Sequence, residues 1–362
     1  MKRKYKVAQL LSIGAFYMCI AIATGAQYPA FERVPASLRS PSGERAQIQV
    51  EGIVTKISFF HGRNDDEADW HVYVDLHPGV RTELRNYIRS LNPDLESISH
   101  RIAKHKANDI STIYSEVMVL DDYKNSMFDE KFLTADVSKA FLLSLGNSRQ
   151  PAWDLAMRAV NDQGENKNFT DYSGIRGKYV YLQGAFVNDK EHGFLPEIHP
   201  LDGIAFAMDT RGEPVSIRHT NSAWPAKEIR WRVCYFANSS FHRINGESYL
   251  KRERTTTFYL ELPRNAYRRE RTQRVAGEAA PTGSILVTRH PVNLWDAKGK
   301  NEYAGRGWSI YPQHEIAVDP RDGRKKLKVT GKMKLPNKAG GIVVCDYVVR
   351  VTDSQPIQSI RN

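Results

Sequence analysis

Two short runs carry residue types that do chemistry: Asp69-Trp70-His71 and Glu197-Ile198-His199-Pro200. In an extended chain, residues two apart project from one face, so each run sets a carboxylate beside an imidazole. That is the donor set taken by Zn²⁺ and other divalent first-row metals, which makes His71 and His199 candidate metal ligands. The same four groups, Asp69, His71, Glu197 and His199, can instead act as carboxylate-oriented histidines in general acid–base catalysis. A third role is structural, as a hydrogen-bonded cluster within a strand pair. His61, Asp65, Asp66, Asp189, Glu191 and His192 lie in the turns before these runs. The chain has no His-Glu-x-x-His, paired Cys-x-x-Cys, Gly-x-Ser-x-Gly or Gly-x-x-x-x-Gly-Lys, so no motif of zinc peptidase, zinc ribbon, α/β-hydrolase or P-loop type marks a reaction.

A second feature is cationic. The connection from Arg264 to Ser284 holds Arg264, Arg268, Arg269, Arg271 and Arg274, and a connection of that length is commonly functional. Arg230, Arg232, Arg254, Arg324, Lys325, Lys326 and Lys328 lie around it, interleaved with Trp231, Tyr235, Phe258, Tyr259 and Tyr267. Cations among aromatic rings suit a polyanion such as nucleic acid, anionic lipid headgroups or a cell-wall polymer. Lysine and arginine on strand edges also serve simply to block edge pairing, and the rings also fill cores.

The elements that must position these groups follow from the wider pattern. The chain has 362 residues, 41% apolar and 26% charged, the composition of a globular protein. Disorder, collagen and a multi-span membrane protein are excluded. Lys2, Arg3, Lys4 and Lys6 precede an apolar run from Val7 to Ala23 and small residues at Thr24-Gly25-Ala26. This is the layout of a secretory signal peptide. Gln9, Ser12 and Gly14 interrupt the run, which is short for a bilayer core of ~30 Å. We therefore expect cleavage after residue 26, a secreted or periplasmic product and no stable transmembrane span. The formal charge of +11 falls to +7 without the four leader cations. Cleavage also removes Cys19 and leaves Cys234 and Cys345. In an oxidising compartment we expect these two to form a disulfide, the alternative being two buried thiols.

After a leader at 27–46, strand patterns run Gln47–Phe60, Asp69–Leu76 and Ser111–Leu120, with helical periodicity over 129–160 and strands at Lys178–Asn188 and Leu195–Met208. Three strands, a helix and two strands is the element order of an OB-fold. With Asp-Trp-His on the second strand and Glu-Ile-His-Pro on the fifth, residues 47–208 resemble exported bacterial OB-fold-like proteins of uncharacterised function. Past Asp209-Thr210-Arg211-Gly212-Glu213-Pro214 helical periodicity fades. Seven strand-like runs then follow: Ile229–Phe236, Thr255–Leu262, Ser284–Arg289, Trp308–Tyr311, His314–Val318, Lys326–Leu335 and Ile342–Val351.

The expected fold is therefore mainly β (α+β): an OB-like barrel with a helical insertion over 47–208, then a β-sandwich-like domain over 209–362. The expected function is an exported binding or interaction protein, with a polyanion or a protein as partner. The alternative is a metal-assisted hydrolase acting on phosphodiesters, nuclease-like, through the Asp69, His71, Glu197 and His199 cluster.

Overall fold

The computed structural model describes residues 47–61, 67–82, 112–121, 135–147, 152, 154–156, 164–168, 174–189, 195–217, 224–237, 253–267, 284–292, 309–334 and 341–352. The expected signal peptide and the leader at 27–46 lie outside them. Among the described residues no helix is long and apolar enough to cross a membrane.

The chain is mainly β. Its elements are β1 (Gln47–His61), β2 (Glu67–Leu76), β3 (Thr112–Asp121), α1 (Ala135–Ser144), β4 (Gly164–Asn168), β5 (Tyr179–Asp189), β6 (Leu195–Met208) and β7 (Pro214–Val215). They continue with β8 (Glu228–Ala237), β9 (Glu253–Leu260), β10 (Ile285–Val292), β11 (Ser309–Val318), β12 (Lys325–Lys334) and β13 (Gly341–Val351). Ten strands form one sheet with the path β10-β13-β8-β6-β3-β2-β1-β4, β5 bridging β1 and β6, and β7 on β6. All its ladders are antiparallel except the short β3–β6 pairing. The sheet as a whole is open: beyond β6 it runs on through β8 and β13 to β10. A second sheet has the order β11-β12-β9.

Strand β6 explains this layout. Val180 to Gln183 of β5 pair with Phe206 to Gly203 on one edge, while Tyr235 to Arg230 of β8 pair with Gly203 to Met208 on the other. Its side chains also enter two different cores, one from each face, and the run Leu201-Asp202-Gly203-Ile204-Ala205-Phe206-Ala207-Met208 is buried throughout. Such a strand reads as a continuous apolar run rather than an alternation. Ile204, Phe206 and Met208 enter one core with Trp70, Val72, Val74, Phe141 and Phe236. Ala205 and Ala207 enter a second with Trp231, Tyr235, Phe258, Leu327 and Tyr347.

The first core is closed by α1. Its Phe141 ring centroid lies 5.4 Å from Trp70 and 5.8 Å from Phe236, and Trp70 lies 5.0 Å from Phe59, so a tilted aromatic chain ties β1, β2, α1 and β8 together. The helix stops at Gly146, whose φ of 88° suits glycine. In the second core the three-stranded sheet comes close at Gly331, where a Cβ would sit 2.4 Å from the Tyr235 ring.

The expected disulfide is not formed: Cys234 and Cys345 are both free and buried. Cys234 stands opposite Val344 and Cys345 opposite Val233. The thiols are thus one register step apart, and a one-residue step reverses the face. Cys234 lies in the first core and Cys345 in the second. Burial pushes the Cys234 thiol up to about 12, and its Sγ donates to the Ser144 carbonyl at 3.2 Å. Burial raises Cys345 as well. Neither is a nucleophile at neutral pH.

Sequence and structure differ elsewhere too. The runs Trp308–Tyr311 and His314–Val318 correspond to one strand, β11, because Pro312 sits on an edge where a missing N–H costs no ladder bond. Its carbonyl accepts from Arg289 Nη1 at 2.6 Å. Of the helical stretch 129–160, α1 forms over Ala135–Ser144.

The β11–β12 hairpin is held by ions. Asp319, with its side chain fully buried, accepts from Arg321 at 2.8 Å and from Lys326 Nζ at 2.7 Å. Burial alone would raise this carboxyl, but Arg321 and Lys326 outweigh it and hold its pKa at about 2. A carboxyl depressed from an ordinary ~3.9 stabilises the fold above pH ~4, and that contribution is lost as pH falls through ~2, an amount of about 2 kcal/mol. Asp319→Asn should therefore cost about 2 kcal/mol at pH 7 and flatten the stability profile between pH ~4 and ~2, as read from urea midpoints. Equal slopes in both proteins would contradict this.

Candidate functional site

His71 sits in the middle of β2, opposite Ser58 of β1 and Glu116 of β3. Glu197 sits on β6, opposite Tyr114 of β3 and Val187 of β5. Tyr114 is also opposite Tyr73. Residues directly opposite share a face, so two neighbouring rows cross the sheet: Ser58, His71 and Glu116, then Tyr73, Tyr114 and Glu197. The backbone thus places His71 and Glu197 on one face, flanking β3.

This layer is closed. His71 is 8% exposed, Glu197 2% and Ser58 0%. The imidazole packs edge-on to Tyr73 at 6.2 Å, and Lys56 Nζ lies 4.6 Å above the same phenol ring. Burial lowers the Lys56 pKa. The buried imidazole of His71 and carboxylate of Glu197 share this face with the half-buried phenol of Tyr73 and amine of Lys56, groups that can exchange a proton. Their burial equally suits a polar layer that fixes strand register.

The other two expected members stand differently. Asp69 lies opposite Phe60 of β1 and Met118 of β3, next to a register shift at Ala68/Asp69. His199 lies where β6 carries an extra residue against β5, between Ile198 opposite Phe186 and Leu201 opposite Gly184. Strict alternation ends at such a bulge, so the two-residue rule that paired Glu197 with His199 stops there. The side chains of Asp69, Glu116 and His199 fall outside the described residues. Among the described residues, no three His, Cys, Asp or Glu groups come together as a metal site would need. Ser58, Lys56 and Tyr73 join the layer through cross-strand register, which no spacing along the chain announces.

The cationic surface is also resolved into parts. Arg264 donates its backbone N–H to the Pro225 carbonyl at 2.8 Å, while Arg268, Arg269, Arg271 and Arg274 lie outside the described residues. Arg324 pairs with Glu261 at 2.8 Å and lies 4.5 Å over the Tyr267 ring. Lys326 is buried between Asp319 and Asp322, both at 2.7 Å, with Glu261 at 3.5 Å. Much of the expected basic patch at 324–328 is therefore an internal ion network.

On the central strand β12, Leu327, Val329 and Gly331 face the core, so Lys328, Thr330 and Lys332 face outward. Lys328 stands between Tyr259 and Glu315, Thr330 between Thr257 and Gln313, and Lys332 between Thr255 and Tyr311. Lys328 pairs with Glu315 at 2.7 Å, and Lys332 is exposed.

His71→Ala should lower stability by roughly 2–3 kcal/mol at unchanged urea m-value, since a buried ring leaves a cavity against Tyr73 and Ser58. An unchanged midpoint would show that the imidazole carries no structural load. No family model, curated protein or solved structure matches the chain.

Proposed function

We propose that this chain is an exported binding protein, built from an OB-like barrel and a β-sandwich, whose ligand is a linear polyanion. Strands β1, β2, β3, β6 and β5 pair successively, and β5 returns to β1. That circuit, with β3 and β6 parallel, supports the OB-like reading. The second core, shared by β5, β6, β8 and β13 on one side and β9 and β12 on the other, supports the sandwich reading. The apolar leader supports export.

The observation that carries the ligand class is the outer face of β9, β12 and β11. Lysines alternate there with threonines along the central strand, with Tyr259, Thr257 and Thr255 on one side and Gln313, and Glu315 paired with Lys328, on the other. Phosphate oxygens accept from these groups: lysine ammonium, threonine and tyrosine hydroxyl, glutamine amide. A row on one strand matches a polymer that presents charges in a line. The hydrolase reading rests on His71 and Glu197, and their burial supports a structural role over catalysis on a polymer.

Binding of fluorescein-labelled oligothymidylate, followed by anisotropy over a salt series, tests this. Lys328→Glu with Lys332→Glu should weaken binding and reduce the salt slope by about 1.4 units, ~0.7 for each lost contact to a single strand. A variant with the affinity and slope of the parent would remove this face from binding.

A further inference from the structure

A cavity of about 360 Å³ opens where β6 ends and β8 begins. Its wall is apolar: Met208, Ile217 and Ile229 line it, each nearly fully buried. Three charged residues line it as well, Asp209, Glu228 and Arg230.

Two of these three are already committed. Asp209 accepts from the backbone N–H groups of Arg211 at 2.8 Å and Glu213 at 2.9 Å and from the Arg211 side chain at 3.1 Å, which together close the β6–β7 turn. Glu228 accepts from Arg350 across β13. Arg230 is the exception. Among the described residues, its Nε–H is buried without an acceptor. A buried donor left unpaired is costly and calls for an explanation. Arg264 Nε, on the segment hydrogen-bonded to the cavity residue Pro225, is in the same condition.

An apolar wall beside an arginine whose Nε–H lacks a partner among the described residues defines a ligand chemistry. We propose that this cavity binds a small monocarboxylate whose apolar body lies on Met208, Ile217 and Ile229 and whose carboxylate accepts from Arg230. Guanidinium suits a carboxylate because its planar fork offers parallel donors. The volume is at the lower end of small-molecule sites, which limits the body to about the size of one ring. Asp209 and Glu228 do not repel the carboxylate strongly, because each is neutralised by its own arginine. The site is independent of the polyanion face: β6, β7 and β8 build it, and β9, β11 and β12 do not.

Isothermal titration of the full chain at pH 7 with sodium benzoate, and with benzyl alcohol as the neutral probe of the same ring, tests the assignment. Benzoate should bind in the millimolar range and at least about 10-fold more tightly than the alcohol. Arg230→Gln should remove that difference, and Ile217→Trp, which fills the cavity, should abolish both. The probe comparison on the parent chain is decisive even where a variant folds poorly. Equal binding of the two probes, binding unchanged in Arg230→Gln, or no benzoate binding up to about 50 mM would each overturn the proposal. Oligothymidylate should leave the benzoate isotherm unchanged, so loss of one activity does not entail loss of the other.

Discussion

Strand β6 is hydrogen-bonded along both edges, and the rest of the molecule is arranged around that constraint. Its early part pairs in parallel with β3, its later part with β8, and β5 runs along the other edge. Two cores cover its two faces as well, so its buried side chains are mostly apolar or small, with Glu197 and Asp202 as the charged exceptions. Gly203 marks the tightest point. A Cβ there would lie 3.0 Å from the Cys234 carbonyl oxygen and 3.0 Å from Thr256 Cγ2. Glycine lets the three-stranded sheet settle onto β6 at that crossing. Two cores then grow from opposite faces of one strand.

That arrangement decides where chemistry can sit. His71 on β2 and Glu197 on β6, on the face turned away from the first core, lie under cover. Groups on the outer side of β12 face water. The turns store charge differently: Asp209 and Asp319 each cap a tight turn by accepting from the backbone N–H two residues later, with Gly212 and Gly323 at φ 85° and 70°. Asp319 lies buried and brings Lys326 with it, whereas Asp209 stays near the surface beside the cavity.

Much of the strand content was legible because alternation marks half-buried strands, as in β2, and apolar runs mark doubly covered ones, as in β6 and β8. Strand β4, Gly164-Glu165-Asn166-Lys167-Asn168, has no apolar residue, and β7 has two residues; pairing alone defines them. The thiols were misread for a related reason. Export and an even count say that a disulfide is chemically allowed, but a single step in the β8–β13 register sends the two sulfurs into different cores. Register also decided the candidate site. It put His71 and Glu197 on one face, added Ser58 and Tyr73 unannounced, and ended the alternation at His199 through a bulge. Charge pairing was the least legible level, since nothing in the run Arg324 to Lys328 shows that Glu261, some sixty residues earlier, neutralises part of it.

If β6 is the shared spine, neither core can open without disturbing the other. Native-state hydrogen exchange under increasing urea tests this directly. The account predicts that the amides of Val72, Leu182, Ile204, Phe258 and Val329 exchange through one opening, with a common free energy equal to that of global unfolding. A lower-energy opening that releases Phe258 and Val329 while Val72 and Leu182 stay protected would contradict it, and would show two cores that merely touch.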